Sequence, residues 1–201
     1  PRALTMLGVI YLNQNIKKAI EYLTSAADLD CSNAQSLLGI FYLEGTYIPR
    51  NEKKGIQYLL QSCKQNNIEA EYYLGFAYFK GKHIKKDINK AFTYLTLASN
   101  HNHPVAQFYL GLLYLYDFFQ DKKYGNNSIY KAIDLFLQSS IKGVTYANYM
   151  MGYFYYEGKY VKKDIKRSIH YFKEASSFNY PFAKNNLGII YKNHLNDEPQ
   201  K

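Results

Sequence analysis

Six copies of one spacing, Ala-x3-Leu-Gly-x2-Tyr, run through this chain of 201 residues. They read Ala3-Leu7-Gly8-Tyr11, Ala34-Leu38-Gly39-Tyr42, Ala70-Leu74-Gly75-Tyr78, Ala106-Leu110-Gly111-Tyr114, Ala147-Met151-Gly152-Tyr155 and Ala183-Leu187-Gly188-Tyr191. Successive motif glycines are 31, 36, 36, 41 and 36 residues apart. Recurrence at that period marks a chain assembled from one supersecondary unit that cannot bury its apolar side alone. Residues at i, i+4, i+5 and i+8 share one stripe of an α-helix. Glycine costs about 1 kcal/mol in a helix interior. Its return in every copy therefore predicts a second helix packed close against that backbone.

A second helical pattern follows each of the first five motifs. It reads Lys18-Ala19-Ile20-x-Tyr22-Leu23, Lys54-Gly55-Ile56-x-Tyr58-Leu59, Lys90-Ala91-Phe92-x-Tyr94-Leu95, Lys131-Ala132-Ile133-x-Leu135-Phe136 and Arg167-Ser168-Ile169-x-Tyr171-Phe172. Three residues before each basic residue stands Asn15, Asn51, Asp87, Ser128 or Asp164. All are N-cap types, with a short side-chain oxygen to accept a free first-turn N–H. The same register ends at Asp30, Asn66, Asn102, Gly143 and Asn179, which tolerate the left-handed position after a helix. Between the two helices recurs Gly45-x2-Ile48-x2-Asn51, Gly81-x2-Ile84-x2-Asp87 and Gly158-x2-Val161-x2-Asp164. The first copy shortens this loop by five residues, and the fourth lengthens it by five and has Asp117 in place of Gly. Helix A is thus predicted near Glu69–Lys80 and Val105–Tyr116, and helix B near Ile88–Asn100.

The combined spacing, caps and Gly-x2-Val/Ile-x2-Asp loop resemble the Sel1-like repeat, a relative of the tetratricopeptide repeat. The resemblance covers the whole chain. It implies an all-α, right-handed superhelical solenoid over residues 1–201. Five helix pairs fall at about 1–30, 31–66, 67–102, 103–143 and 144–179, and a sixth first helix at 180–195. That last helix lacks its partner, so the pattern predicts an array continuing beyond Lys201. Gly8, Gly39, Gly75, Gly111, Gly152 and Gly188 are its structural positions.

Composition narrows the function classes. Hydrophobic residues make up 47% and charged residues 20% of the chain, which fits neither a disordered nor a collagen-like polymer. The longest run free of Asp, Glu, Lys and Arg, Ala91 to Tyr116, is broken by Ser99-Asn100-His101-Asn102-His103-Pro104, so no membrane span is predicted. His101-x-His103 lies at a turn, with no further ligand at metal-binding spacing in the sequence. No glycine pattern forms a phosphate-binding loop, and no nucleophile pairs with a histidine in a known motif. Neither catalysis nor a cofactor is expected.

Two surface patterns remain. If helix A lines the concave side, Tyr72, Phe76, Phe79, Phe108, Leu112, Tyr149, Tyr153 and Tyr156 point into the groove, an aromatic strip suited to a peptide segment. Twenty-five Lys and Arg against 16 Asp and Glu give a net charge of +9. Much of this charge falls in the loops joining helix A to helix B: Arg50, Lys53, Lys80, Lys82, Lys85, Lys86, Lys122, Lys123, Lys159, Lys162 and Lys163. Such an edge favours anionic partners, but net charge without a recognised nucleic-acid fold does not predict nucleic-acid binding. Cys31 and Cys63 fall at neighbouring helix ends, where a disulfide is topologically allowed and two reduced thiols are the alternative. Asn126-Asn127-Ser128 is a glycosylation sequon whose meaning depends on a secretory route.

The resemblance implies a non-catalytic scaffold or adaptor that binds protein or peptide segments, with acidic flanks suited to the basic edge. Open repeat ends also allow self-association. Among eukaryotic members it suggests the adaptor of endoplasmic-reticulum-associated degradation, which would place the chain in the endoplasmic reticulum. The alternatives are a bacterial-type secreted or periplasmic regulator or effector, or the accessory repeats of an enzyme whose catalytic domain lies elsewhere.

Overall fold

A computed structural model describes residues 1–119 and 127–197. The chain forms two compact units, Pro1–Ala106 and Gln107–Lys201. Eleven α-helices, and no strand, occur among the described residues. The first unit holds α1 (Arg2–Tyr11), α2 (Ile16–Asp28), α3 (Ser32–Glu44), α4 (Glu52–Cys63), α5 (Ile68–Lys80), α6 (Ile88–Asn100) and the start of α7 (Pro104–Phe119). The second holds the rest of α7, then α8 (Ser128–Ile141), α9 (Thr145–Glu157), α10 (Ile165–Ser177) and α11 (Pro181–Asp197). Odd-numbered helices carry the Ala-Leu-Gly-Tyr motif, and each of the first five is followed by its helix B.

Local chemistry sets the helix boundaries. Asn15, Asn51, Asp87 and Asp164 each accept the backbone N–H three residues on, at 3.1, 3.0, 3.0 and 2.9 Å. Ser128 differs from expectation. It is the first residue of α8 behind the N-cap Asn127, and its hydroxyl donates instead to the buried Asp117 carboxylate at 2.7 Å. Asp117 replaces the loop glycine, so α7 runs on through it. At the helix B ends, Asp30, Asn66, Asn102, Asn179 and Gly143 all take positive φ, between 56° and 82°. The amides around four of these positions turn back onto the helix end, as Cys31 N–H to Ala26 O and Asp30 N–H to Ala27 O illustrate, the pattern of a Schellman closure.

The motif glycine is a contact point. A Cβ at Gly75 would lie 2.8 Å from Leu95 Cγ and 2.9 Å from the Leu95 backbone nitrogen. Gly39 meets Leu59 in the same way, Gly8 meets the Leu23 side chain and the Ala19 carbonyl, and Gly111 and Gly152 meet the rings of Phe136 and Phe172. These five knobs are fully buried, so each pair is closed by one large helix B side chain seated on bare helix A backbone. Gly188 on α11 meets nothing within 4 Å.

The motif tyrosine closes the outside of each pair. The cap amides of Asn15, Asn51, Asp87 and Asp164 donate to the carbonyls of Tyr11, Tyr42, Tyr78 and Tyr155 at 2.7, 2.9, 3.1 and 3.0 Å. Over the same tyrosine rings, and over Tyr114, sit Lys18, Lys54, Lys90, Lys131 and Arg167, 5.1 to 5.7 Å from the centroids. The helix B tyrosines Tyr58, Tyr94 and Tyr171 stack on Tyr42, Tyr78 and Tyr155 within 11° of parallel. A cation–ring–ring sandwich thus stabilises both helices while keeping the cation in water.

Each helix A from α3 to α9 also buries one polar side chain just after its motif alanine: Gln35, Glu71, Gln107 and Asn148. Gln65 Nε2 donates to Gln35 Oε1 at 2.9 Å, Gln107 Nε2 donates to Gln138 Oε1 at 3.0 Å, and Glu71 Oε2 meets His101 Nδ1 at 2.8 Å. Glu71, only 1% exposed, is the ionisable member of this row. His101→Ala is expected to cost about 1–3 kcal/mol, because it strands a buried carboxylate. Adding Glu71→Gln should restore most of that loss, since the neighbouring repeats use a neutral amide there. Urea melts of the single and double variants measure it.

Candidate functional site

The helix A face is built differently in the two units. In the first, Tyr72 stacks on His103 with centroids 4.4 Å apart and leans on Phe76 at 5.9 Å. Lys80 Nζ stands 5.7 Å above Phe76 and 5.8 Å above Phe79. All three aromatic side chains are half-buried. The ring faces are therefore dressed by a histidine and a lysine rather than bare.

In the second unit the aromatics are more open. Tyr153 is 43% and Tyr146 53% exposed. Half-buried Tyr149 meets Tyr180 edge-on at 5.0 Å and leans on Phe172 at 5.7 Å. Tyr180 also meets Tyr146 edge-on at 5.2 Å, and Phe182, 62% exposed, lies 5.5 Å from it. Burial, with Tyr149 and Tyr146 beside it, pushes the Tyr180 phenol up from its ordinary value. Leu112 is half-buried, and half-buried Tyr156 carries Lys163 Nζ 5.8 Å above its ring.

One expected groove residue departs. Phe108 is 8% exposed and packs with Tyr109, Phe136 and Tyr146 at centroid distances of 5.2 to 5.8 Å. Its register matches that of Tyr72 and Tyr149, but Phe136 and Tyr146 cover it. Tyr146 and Phe182, both exposed, and half-buried Tyr180 form a cluster of which the helix A register reaches only Tyr146. Two of them lie at the turn into α11, where helix periodicity carries no signal.

Lys85, Lys86, Lys162 and Lys163 are exposed. The stems of Lys86 and Lys163 pack where a Cβ on Gly81 or Gly158 would stand, 2.7 and 2.5 Å away. These two glycines hold φ of 67° and 70°, so each loop folds back tightly enough to fix its lysine stem while the ammonium stays in water. Lys122 and Lys123 lie outside the described residues, as does Asn126 of the sequon. Glu44 tempers the charge in the first unit. It accepts a hydrogen bond from the Tyr73 hydroxyl and lies 3.1 Å from His83 Nε2 and 3.7 Å from Lys82 Nζ. The Tyr73 hydrogen bond, with the nearby His83 and Lys82, outweighs burial and holds its carboxyl below the ordinary value.

The two cysteines are free thiols. Cys31 Sγ lies 3.3 Å from Thr5 Oγ1 of the preceding repeat. Burial works to raise its pKa, but hydrogen bonds from Thr5 and the Ala34 and Asn33 amides bring it below the ordinary thiol value. Burial pushes Cys63 up to about 12, aided by Glu71 of the following repeat. His101 and His103 do gain carboxylate neighbours, Glu71 at 2.8 Å and Glu69 at 3.6 Å. Among the described residues, however, no three His, Cys, Asp or Glu side chains gather as metal ligands. Nor is any described helix long and apolar enough to cross a membrane.

The likeness to known proteins runs along the same repeats. A family model described as Sel1 repeat matches residues 1–31, 32–67, 68–103, 104–144 and 145–177. No curated protein matches the chain by sequence. A protective antigen of uropathogenic Escherichia coli with an SLR fold is 20% identical and superposes with a TM-score of 0.83 over 99% of this chain and 43% of its own. The chain thus spans less than half of that protein. A Sel1 repeat protein from Oxalobacter formigenes is 24% identical, with a TM-score of 0.82 over 95% of this chain and 78% of its own. At these identities the two structures speak to the fold, an all-α solenoid of stacked helix pairs. With the repeat matched five times in succession over residues 1–177, the chain belongs to the Sel1 repeat family.

Proposed function

We propose that this chain is a non-catalytic scaffold whose helix A face binds a segment of a partner protein. The observation that supports this most directly is the aromatic cluster of the second unit. Tyr146, Tyr149, Tyr153 and Phe182 are held in place by neighbouring rings and keep part of their area in water. Tyrosines so held lose little rotamer entropy on binding and still bury large areas. Tyr72, Phe76, Phe79, Leu112 and Tyr156 extend the same use, while Phe108 supports the face from beneath. The exposed lysines of the loop edge suit a partner with acidic flanks.

Co-purification of a partner, followed by binding kinetics with that isolated partner, tests the reading. Replacing Lys85, Lys86, Lys162 and Lys163 by Gln is expected to slow association several-fold and flatten its salt dependence, with little change in dissociation. Tyr149→Ala with Tyr153→Ala should act mainly on dissociation. Normal binding by the aromatic variant, with loss of the partner by the lysine variant, would move the binding surface to the edge.

An adaptor role in endoplasmic-reticulum-associated degradation is the finer form of this proposal. Co-purification with a membrane ubiquitin ligase would support it, whereas a bacterial envelope or host partner would favour the regulator or effector form. Association between copies is a second reading, favoured by the open face of α11 around Gly188 and the 44% exposed Ile189. Sedimentation across a concentration series measures it.

A further inference from the structure

Two cavities, one in each unit, are built from the same positions of the repeat. In the first unit a cavity of about 250 Å³ lies among Leu43 at the end of α3, Tyr73, Phe76 and Ala77 on α5, and Lys82 and His83 in the following loop. In the second a cavity of about 320 Å³ lies among Leu115 of α7, Met150, Tyr153 and Phe154 on α9, and Lys159 and Tyr160. Six lining residues correspond between the two cavities, whereas Lys80 in the first stands at the position of Glu157 in the second, and Glu44 at that of Tyr116. Leu43 and Leu115 each stand four residues after their own motif glycine, Gly39 and Gly111. The other five residues stand at equal offsets from Gly75 and from Gly152. The repeat itself therefore makes the cavity, by leaving space between the end of one helix A and the middle of the next.

Their chemistry is also shared. The walls are apolar, with Leu43, Ala77 and Phe154 each under 8% exposed. One carboxylate borders each cavity, Glu44 in the first and Glu157 in the second. Lysines complete the rim. Lys82 is 71% exposed in the first, and Lys159 Nζ stands 5.2 Å above the Tyr160 ring in the second. Beyond each rim the same loop carries the exposed Lys85 and Lys86, or Lys162 and Lys163.

We propose that each cavity receives one bulky apolar side chain from an acidic, extended segment of a partner protein. This rests on the reading of the helix A face as the interaction surface, and it names what that face selects. The volumes suit a single large side chain and lie on either side of the lower end of the range for small-molecule sites, about 300 Å³. Charge complementarity sets the flanks, because both loops present exposed lysines to whatever enters. The wall carboxylates set the anchor by exclusion. An acidic side chain entering the cavity would meet the like charge of Glu44 or Glu157 at the rim, which is unfavourable. The preferred segment is thus acidic around its anchor and apolar at it.

The test titrates the full chain with four synthetic twelve-residue acidic peptides that differ only at a central Phe, Leu, Ala or Asp. Methyl NMR of the leucines and methionines is the readout. The Phe peptide is expected to bind about tenfold or more tighter than the Ala peptide, as burial of one large side chain predicts, with Leu between them and Asp weakest. Shifts should concentrate at the Leu43 and Met150 methyls. Lys82→Glu should weaken the response at Leu43 several-fold and leave that at Met150 unchanged, which also shows that the variant is folded. Equal affinity for all four peptides, or a Phe peptide that shifts residues beside Tyr72 and Tyr149 but neither Leu43 nor Met150, would overturn the cavities and leave the interaction face standing. Failure of all four peptides to bind would overturn both.

Discussion

Gly75→Leu is expected to cost about 3 kcal/mol or more, and Gly188→Leu to cost nothing. The substituted atom at Gly75 meets Leu95 Cγ at 2.8 Å and, more seriously, the Leu95 backbone nitrogen at 2.9 Å. A side-chain end can rotate away, but a backbone atom moves only if α6 separates from α5. Ordinary overpacking costs about 1–3 kcal/mol, and this site has a rigid neighbour in addition. Gly111→Leu should fall in the same range, because Phe136 lies 2.8 Å away and is fully buried. Gly188 has the same motif and helix position but no neighbour within 4 Å, so a side chain there gains up to about 1 kcal/mol of helix propensity. Urea denaturation of the three variants reads the differences directly. A loss below about 0.5 kcal/mol at Gly75 would mean that the two helices do not touch there.

Phe108→Ala and Tyr153→Ala should separate folding from binding. Phe108 packs against Phe136 and Tyr146 at 8% exposure. Its truncation leaves a cavity and is expected to cost about 3–5 kcal/mol of stability. Tyr153 keeps 43% of its area in water, and its truncation should cost less than about 1 kcal/mol. Partner affinity should fall about tenfold or more with Tyr153→Ala, chiefly through faster dissociation. Thermal melts and binding kinetics on both variants give the comparison. Equal destabilisation by the two would show that Tyr153 is a packing residue and would remove it from the interaction face.

The cysteine pair shows why proximity along a solenoid does not make a bond. Cys31 and Cys63 stand at neighbouring helix ends by the repeat register, yet both are free thiols, and Cys31 Sγ lies 3.3 Å from Thr5 Oγ1. A similar divergence separates Ser128 from the other cap residues. Asp117, at the glycine position, lies 2.7 Å from its hydroxyl, and the side chain is used there instead of at the helix start.

Helix positions were legible in the sequence because their signals are local. Asp87 caps α6 by reaching the amide three residues on, and Asn66 and Asn102 turn left-handed because their own side chains tolerate it. The glycine spacing likewise implied a close second helix, and α5 and α6 begin within one residue of their expected starts. Accessibility was not legible. Tyr72, Phe108 and Tyr149 hold one register, but Phe108 is buried while the other two are half-exposed. Periodicity states the direction in which a side chain leaves its helix, whereas exposure depends on what stands above it. For Phe108 that cover is Phe136, 28 residues along the chain, and Tyr146, 38 residues along it. The sequence by itself therefore determined the repeat, four of its five helix B caps and its pairing, and only the tertiary structure decided which aromatic surface remains exposed.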